Sequence, residues 1–178
     1  MSVAKLEGSH RLGWVRSLAW GVAGALLLVP LAAMQFTQKV RWTISDFLFA
    51  ALLIGGVGLA LELAVRISTS TSYRAGAALG LAAGVLLIWA NGAVGYIGNE
   101  DNPYNLAFFG VVAIAFVGAL VSGFKAKGMA CTMLAAGIAH AAVGVGGAPN
   151  DPRTLPITLV FVAMWLGSAQ LFQKAARS

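Results

Sequence analysis

The sequence predicts an all-α membrane protein, a polytopic transmembrane helical bundle of six helices that forms one domain over residues 1–178. Of its 178 residues, 59% are hydrophobic and only 10% are charged, and the mean hydropathy is +0.83; these values lie outside the range of soluble domains. The apolar residues also form long blocks, and blocks of roughly 18 or more residues with few charges are typical of membrane spans. Six spans and short turns leave no room for a soluble domain.

Six apolar blocks define the predicted spans. They cover residues 17–36, 46–65, 73–97, 105–124, 129–145 and 155–172. The first block could instead be a cleaved signal peptide, although its apolar part exceeds the roughly 7–15 residues of a signal core. The fifth block is short and alanine-rich, so it predicts either a span with little tilt or a thin, re-entrant segment.

Residues that favour helix N-termini precede several spans. Asn102 followed by Pro103 predicts the start of the fourth helix, because Asn is a good N-cap and Pro suits the first turn. Asp46 near the start of the second helix is predicted to interact with the partial positive charge of its N-terminus. The remaining predicted starts are Thr43 or Ser45 for the second helix, residues 70–72 for the third, and Asp151 or Thr154 for the sixth.

The basic residues predict the orientation in the membrane. With six spans, one side holds nine Lys or Arg residues and the other holds three, and basic loops stay in the cytoplasm. Both termini are therefore predicted to be cytoplasmic. The nine are Lys5, Arg11, Arg16, Arg66, Arg74, Lys125, Lys127, Lys174 and Arg177, and the three are Lys39, Arg41 and Arg153.

Small and aromatic residues predict how the helices pack and where they meet the membrane surface. Gly76, Gly80 and Gly84 recur every four residues, and small residues let transmembrane helices approach closely. We expect the second, third and fifth helices to contact one another. Aromatic rings near span ends are predicted to anchor in the headgroup layer, namely Trp14, Trp20, Trp42, Tyr96 and Tyr104.

Two polar positions within the spans are candidate ligand or ion sites. Glu62 precedes Arg66 by four residues, a spacing that predicts either a snorkelling ion pair or a proton or cation site. Asn91 lies inside the third span, where it could hydrogen-bond to a neighbouring helix or contact a ligand.

A third candidate site lies at the predicted outer side. His140 falls in the outer half of the fifth helix and faces loops that contain Glu100 and Asp101. These groups could bind a hard cation, or a transition metal with the help of the imidazole. Helix capping and a hydrogen-bonded histidine explain the same residues. Other polar residues in these loops are Asn99, Asn102, Asn150 and Asp151.

The sequence lacks the motifs of common enzymes. It contains no Gly-x-Ser-x-Gly, His-Glu-x-x-His, Walker or Cys-x-x-Cys motif, and its single cysteine, Cys131, cannot form an internal disulfide. We therefore predict no catalytic residues, no cofactor and no metal. The net charge of +6 is spread over the ends of the apolar blocks, which indicates topology rather than nucleic-acid binding.

Several short motifs resemble one family of small bacterial multi-span membrane proteins of uncharacterised activity. They occur at residues 34–37 (MQFT), 42–43 (WT), 46–47 (DF), 62–64 (ELA), 73–75 (YRA), 98–103 with Asn105 (GNEDNP), and 167–172. The resemblance covers almost the whole chain. It implies the helical architecture and a bacterial inner membrane, and it implies no activity.

Two functional hypotheses follow. The first is a structural or accessory membrane protein whose partners are the lipid bilayer and other membrane proteins or a second copy of itself. The second is a carrier or binding protein for an ion or small molecule, based on Glu62, Asn91 and His140. The absence of internal repeats counts against a carrier, because secondary transporters commonly contain two related halves.

Overall fold

The structure, a computed structural model, is helical in every regular element of the residues that it describes, which are 3–37, 40–93, 95–99 and 101–178. The predicted fold class is therefore confirmed. The elements are α1 (Val3–Phe36), α2 (Ile44–Ile67), α3 (Thr71–Ala93), a 3-10 turn (Pro103–Asn105), α4 (Leu106–Val121), α5 (Ala126–Gly147) and α6 (Thr154–Ala175).

Five of these helices are long and apolar enough to cross a membrane. They are α2, α3, α4 together with its preceding 3-10 turn, α5 and α6. α1 contains a shorter apolar stretch, Trp20–Phe36. The fifth helix, whose predicted span was the shortest, is a continuous helix of 22 residues. At about 1.5 Å per residue it measures roughly 33 Å, enough to cross the hydrocarbon core.

The chain divides into two compact units, Met1–Ala60 and Leu61–Ser178. The first contains α1 and the larger part of α2. The second contains the end of α2 and the four helices α3 to α6. In this second unit α5 packs against α6 and α4, and α3 packs against α6 and, less extensively, α4. The four helices thus form a closed four-helix bundle.

The predicted helix starts are confirmed for the second, third and fourth helices. Thr43 and Asp46 form a reciprocal capping pair, because the Thr43 amide donates to Asp46 Oδ2 at 2.7 Å and the Asp46 amide donates to Thr43 Oγ1 at 3.4 Å. The Tyr73 amide donates to Ser70 Oγ at 3.4 Å. The Asn102 side chain accepts from the Tyr104 amide and opens the 3-10 turn before α4.

The third helix is shorter than predicted. It was expected to extend to Ile97, but it ends at Ala93. Gly95 and Gly98 have φ values of 74° and 71°, a left-handed conformation that glycine adopts without steric cost and that ends a right-handed helix. The four residues from Tyr96 to Asn99 form a bend, and both Tyr96 and Ile97 are buried.

The glycines of α3 pack against α6. A Cβ atom on Gly76 would meet Phe172 at 3.2 Å, and one on Gly80 would meet Ser168 Oγ at 3.0 Å and the sulfur of Met133 at the same distance. The predicted use of this stripe for close packing is confirmed. The third helix approaches the fifth at Met133, as expected, but its main neighbour is α6. Contact of the second helix with this bundle stays a prediction.

The two ends of the second unit differ in charge. Arg74, Lys125, Lys127, Lys174 and Arg177 lie where α3 and α5 begin and where α4 and α6 end. At the opposite end, the connections before α4 and α6 contain Arg153, Asp101 and Asp151 among their described residues. This asymmetry is the one that the basic-residue count predicts.

Candidate functional site

The Glu62 side chain forms an ion pair with Arg66 on the next turn of α2. This is the snorkelling pair that the spacing predicts, since the Glu62 side chain is 18% exposed and the Arg66 side chain is 67% exposed. Arg74 does not join the pair. Its guanidinium donates to the carbonyls of Ser68 at 2.9 Å and Val65 at 3.1 Å, which satisfies acceptors at the end of α2.

Asn91 is buried in the last turn of α3. Its Nδ2 donates to the Leu87 carbonyl at 2.8 Å, one turn earlier in the same helix. The predicted hydrogen bond to a neighbouring helix is thus replaced by a local one. Its Oδ1 has no hydrogen-bond partner within the described part of the chain.

The most elaborate polar cluster of the second unit surrounds His140, whose side chain is fully buried. His140 Nε2 lies 3.0 Å from the phenol oxygen of Tyr96, which donates to Thr158 Oγ1 at 3.4 Å. Phe161 stacks on the imidazole with an interplanar angle of 15° and a centroid distance of 5.2 Å. The Phe108 ring lies at the same distance from it. The imidazole of α5 is thus surrounded by side chains of α4 and α6 and by the buried Tyr96.

One imidazole nitrogen of His140 lacks a partner. A neutral imidazole has one N–H donor and one acceptor nitrogen. Because the single phenol hydrogen of Tyr96 goes to Thr158, Nε2 carries the imidazole hydrogen and donates it to the phenol oxygen, which leaves Nδ1 as the acceptor. Within the described residues Nδ1 has no hydrogen-bond partner.

Asn105 holds Tyr96 in place from the other side of the bend. Its Oδ1 accepts from the Ile97 amide at 2.8 Å, and its Nδ2 donates to the Asn99 carbonyl at 2.8 Å. Asn105 is itself 4% exposed. The bend between α3 and α4 is therefore fixed by a buried side chain, and this orients the Tyr96 ring towards His140.

The Tyr96 phenol is neutral over the physiological pH range. Burial raises the pKa of Tyr96 to about 12, against a smaller opposing effect of the hydrogen bond with Thr158. The sequence predicted Tyr96 as a headgroup anchor, and this is wrong because its side chain is 5% exposed. Among the other predicted anchors in the described chain, Trp14 is 66% exposed and Tyr104 is 37% exposed.

The alternative interpretation of the outer loops, a cation site, does not form among the described residues. No three His, Cys, Asp or Glu side chains there lie close enough to share a metal ion. Asp101 is exposed, and Asp151 accepts a hydrogen bond from the Arg153 amide at 3.0 Å as a local cap. Glu100 lies outside the described residues. His140 contacts Tyr96, and an approach of its imidazole to Glu100 stays a prediction.

Comparison with known proteins identifies no relative of this chain. No family model, curated protein or solved structure matches the chain. The site is therefore interpreted from its own residues. Sequence reasoning found His140 but missed Tyr96, Thr158 and Asn105. Two glycines around Tyr96 were the available signal, since they interrupt the apolar block and permit the chain to turn.

Proposed function

We propose that the chain is an accessory integral membrane protein of a bacterial inner membrane that assembles with other membrane proteins or with a second copy of itself. In this proposal both termini are cytoplasmic and the protein catalyses no reaction. The bacterial location rests on the family resemblance. The orientation rests on the charge difference between the two ends of the second unit.

One observation supports the proposal most strongly: four polar side chains in the helices of the second unit each bond to a partner within that unit. Ser168 Oγ donates to the Gly76 carbonyl at 2.7 Å between α6 and α3. His140 bonds to Tyr96, Asn91 bonds to its own helix, and Glu62 pairs with Arg66. A carrier needs polar groups that open to a ligand, whereas these groups stabilise the bundle.

The exposed face of α4 supports the same proposal. Phe109, Phe116, Val117 and Leu120 are between 44% and 65% exposed, and Val121 is 82% exposed. Such a face is suited to lipid and to the apolar surface of a neighbouring transmembrane helix. It offers no polar group that would select a soluble ligand.

Purification in lipid nanodiscs, followed by mass spectrometry of all retained components, tests the proposal. We expect a second membrane protein in a fixed ratio, or a second copy of the chain. A monomer that carries a bound water-soluble molecule would refute the proposal in favour of a binding or transport role. Reporter fusions at both termini test the orientation, and periplasmic activity at either terminus would contradict it.

A second candidate function, proton or cation carriage, is favoured by Nδ1 of His140 and Oδ1 of Asn91, which have no hydrogen-bond partner among the residues that the structure describes. Proteoliposomes with an imposed potential and an internal pH dye test it directly. In the accessory role, wild type passes no more protons than empty liposomes. In the carrier role, wild type conducts, and Glu62→Gln or His140→Gln abolishes conduction. Loss of the ion pair with the exposed Arg66 contributes about 0.3–0.5 kcal/mol to the destabilisation that we expect from Glu62→Gln.

A further inference from the structure

A groove of about 540 Å³ lies between α5 and α6 at the basic end of the second unit. Its volume is within the roughly 300–1,000 Å³ of typical ligand pockets. No residue of the His140 cluster lines it. The lining residues are Lys127, Ala130, Cys131, Leu134, Leu166, Ala169, Gln170, Gln173, Ala176 and Arg177.

The charged residues and the leucines that line this groove lie at different depths. Lys127 is the second residue of α5, and Arg177 follows the end of α6, so both cations lie at the membrane-surface end of their helices. Leu134 lies seven residues further along α5, which at 1.5 Å per residue is roughly 10 Å deeper. Leu166 lies eleven residues before Arg177, roughly 16 Å deeper by the same rise. The groove therefore runs from a cationic rim to an apolar floor.

The rim cations are available to a ligand. Lys127 and Arg177 are exposed, and neither forms an ion pair with a carboxylate in the described part of the chain. Lys127 also lies in the first turn of α5, where the helix N-terminus adds partial positive charge. The N-cap residue Lys125 provides no side-chain hydrogen bond to this turn. Gln173, four residues before Arg177, adds an amide donor near these charges, whereas Gln170 lies roughly 10 Å deeper.

We propose that this groove binds one anionic phospholipid, with the phosphate group at Lys127 and Arg177 and an acyl chain along Leu134 and Leu166. An anion complements the two cations, and the apolar floor suits a hydrocarbon chain. Basic pockets between transmembrane helices on the cytoplasmic side bind anionic headgroups by the same physics. A segment of another copy fits less well, because the chain contains only six acidic residues and just two of them, Glu100 and Asp101, are adjacent.

The test compares wild type with the double variant Lys127→Gln/Arg177→Gln in nanodiscs of equal phosphatidylglycerol and phosphatidylcholine with identical acyl chains. Native mass spectrometry counts the lipids that each protein retains. We expect wild type to retain phosphatidylglycerol in several-fold excess and the double variant to lose this preference. Lys174→Gln is the matched control, because Lys174 lies at the same end of α6 but does not line the groove.

Alkylation of Cys131 gives a second measurement inside the groove. It is the chain's single cysteine, it is exposed, and it lines the groove. We expect phosphatidylglycerol to slow its reaction with N-ethylmaleimide several-fold in wild type and not in the double variant. Phosphatidylcholine should give little protection.

Three outcomes would overturn the proposal. The first is equal lipid retention by wild type and the double variant, both shown to be folded by their thermal unfolding. The second is an equal loss in Lys174→Gln, which would mean a diffuse surface attraction. The third is full protection of Cys131 by glycerol phosphate alone, which would mean an anion site that needs no acyl chain. None of these outcomes bears on whether the protein assembles with a partner.

Discussion

Substitution of Gly144 by alanine tests the closest approach of α5 and α6. A Cβ atom at Gly144 would meet Thr158 Oγ1, the Thr158 Cγ2 atom at 2.5 Å and its Cβ at 2.8 Å. Carbon atoms pack best at about 3.5–4.0 Å, so the last contact is short by roughly 1 Å. Rotation of the Thr158 side chain cannot relieve it, because the Cβ position is fixed by the backbone. The two helices must therefore move apart locally.

The expected cost follows from two opposing effects. Overpacking of a tight interior costs about 1–3 kcal/mol. Alanine is the better helix former and offsets this by up to about 1 kcal/mol. We expect Gly144→Ala to lower the free energy of unfolding by about 1–2 kcal/mol. The displacement also strains the 3.4 Å hydrogen bond from Tyr96 to Thr158.

Reversible unfolding in detergent mixed with sodium dodecyl sulfate, followed by circular dichroism, measures this free energy. The matched control is Gly110→Ala on α4, where a Cβ atom would meet nothing within 4 Å. We expect this control to be neutral or slightly stabilising. In a Thr158→Ala background the penalty of Gly144→Ala should shrink, since two of the three short contacts are removed. Equal stability of Gly144→Ala and Gly110→Ala would refute the proposed packing.

Three further predictions concern hydrogen bonds and protonation. The Tyr96 pKa is raised from an ordinary value near 10 to about 12, so the free energy of unfolding should not depend on this group below pH 10 and should fall as the pH rises from 10 to 12. The same pH titration of Tyr96→Phe isolates the effect. An identical pH profile in that variant would contradict the prediction. Ser168→Ala removes the bond between α6 and α3 and should cost about 0.6 kcal/mol in the same unfolding assay, whereas Ser178→Ala at the exposed C-terminus should cost nothing measurable. Asp46→Ala breaks the reciprocal cap with Thr43, so amide hydrogen exchange in the first turn of α2 should accelerate by a factor that corresponds to about 1 kcal/mol, and unchanged exchange there would exclude a capping role.

The helices were predictable because their signals are local. Apolar block length gives the approximate extent of α2, α4, α5 and α6, and short polar residues such as Thr43 and Asn102 mark starts through bonds within three residues. The end of α3 was harder to predict. Glycine is common inside transmembrane helices, so Gly95 by itself does not distinguish a continuing helix from a turn.

The candidate site depends on contacts between residues far apart in sequence. His140 and Tyr96 are separated by 44 positions, and Tyr96 and Thr158 by 62. The residue pattern within a single helix carries no information on such contacts between distant residues. From the sequence, His140 was identified as a polar group within a span that faces the acidic outer loops. In the structure, the bend after α3 places Tyr96 beside it.

The turn between α4 and α5 has a consequence for limited proteolysis. Phe124 has a φ of 58°, a left-handed conformation that costs a bulky residue roughly 1–2 kcal/mol. Its carbonyl accepts a hydrogen bond at 2.6 Å from the phenol of Tyr73 at the start of α3. The turn also has hydrogen bonds of its own, from the amides of Gly123 and Phe124 to the carbonyls of Leu120 and Ala119. The bond from Tyr73 therefore adds stability to this turn once α3 has docked. We expect a fragment that starts at α4 to lack this added stability, so that limited proteolysis at the turn is faster in the fragment than in the complete chain.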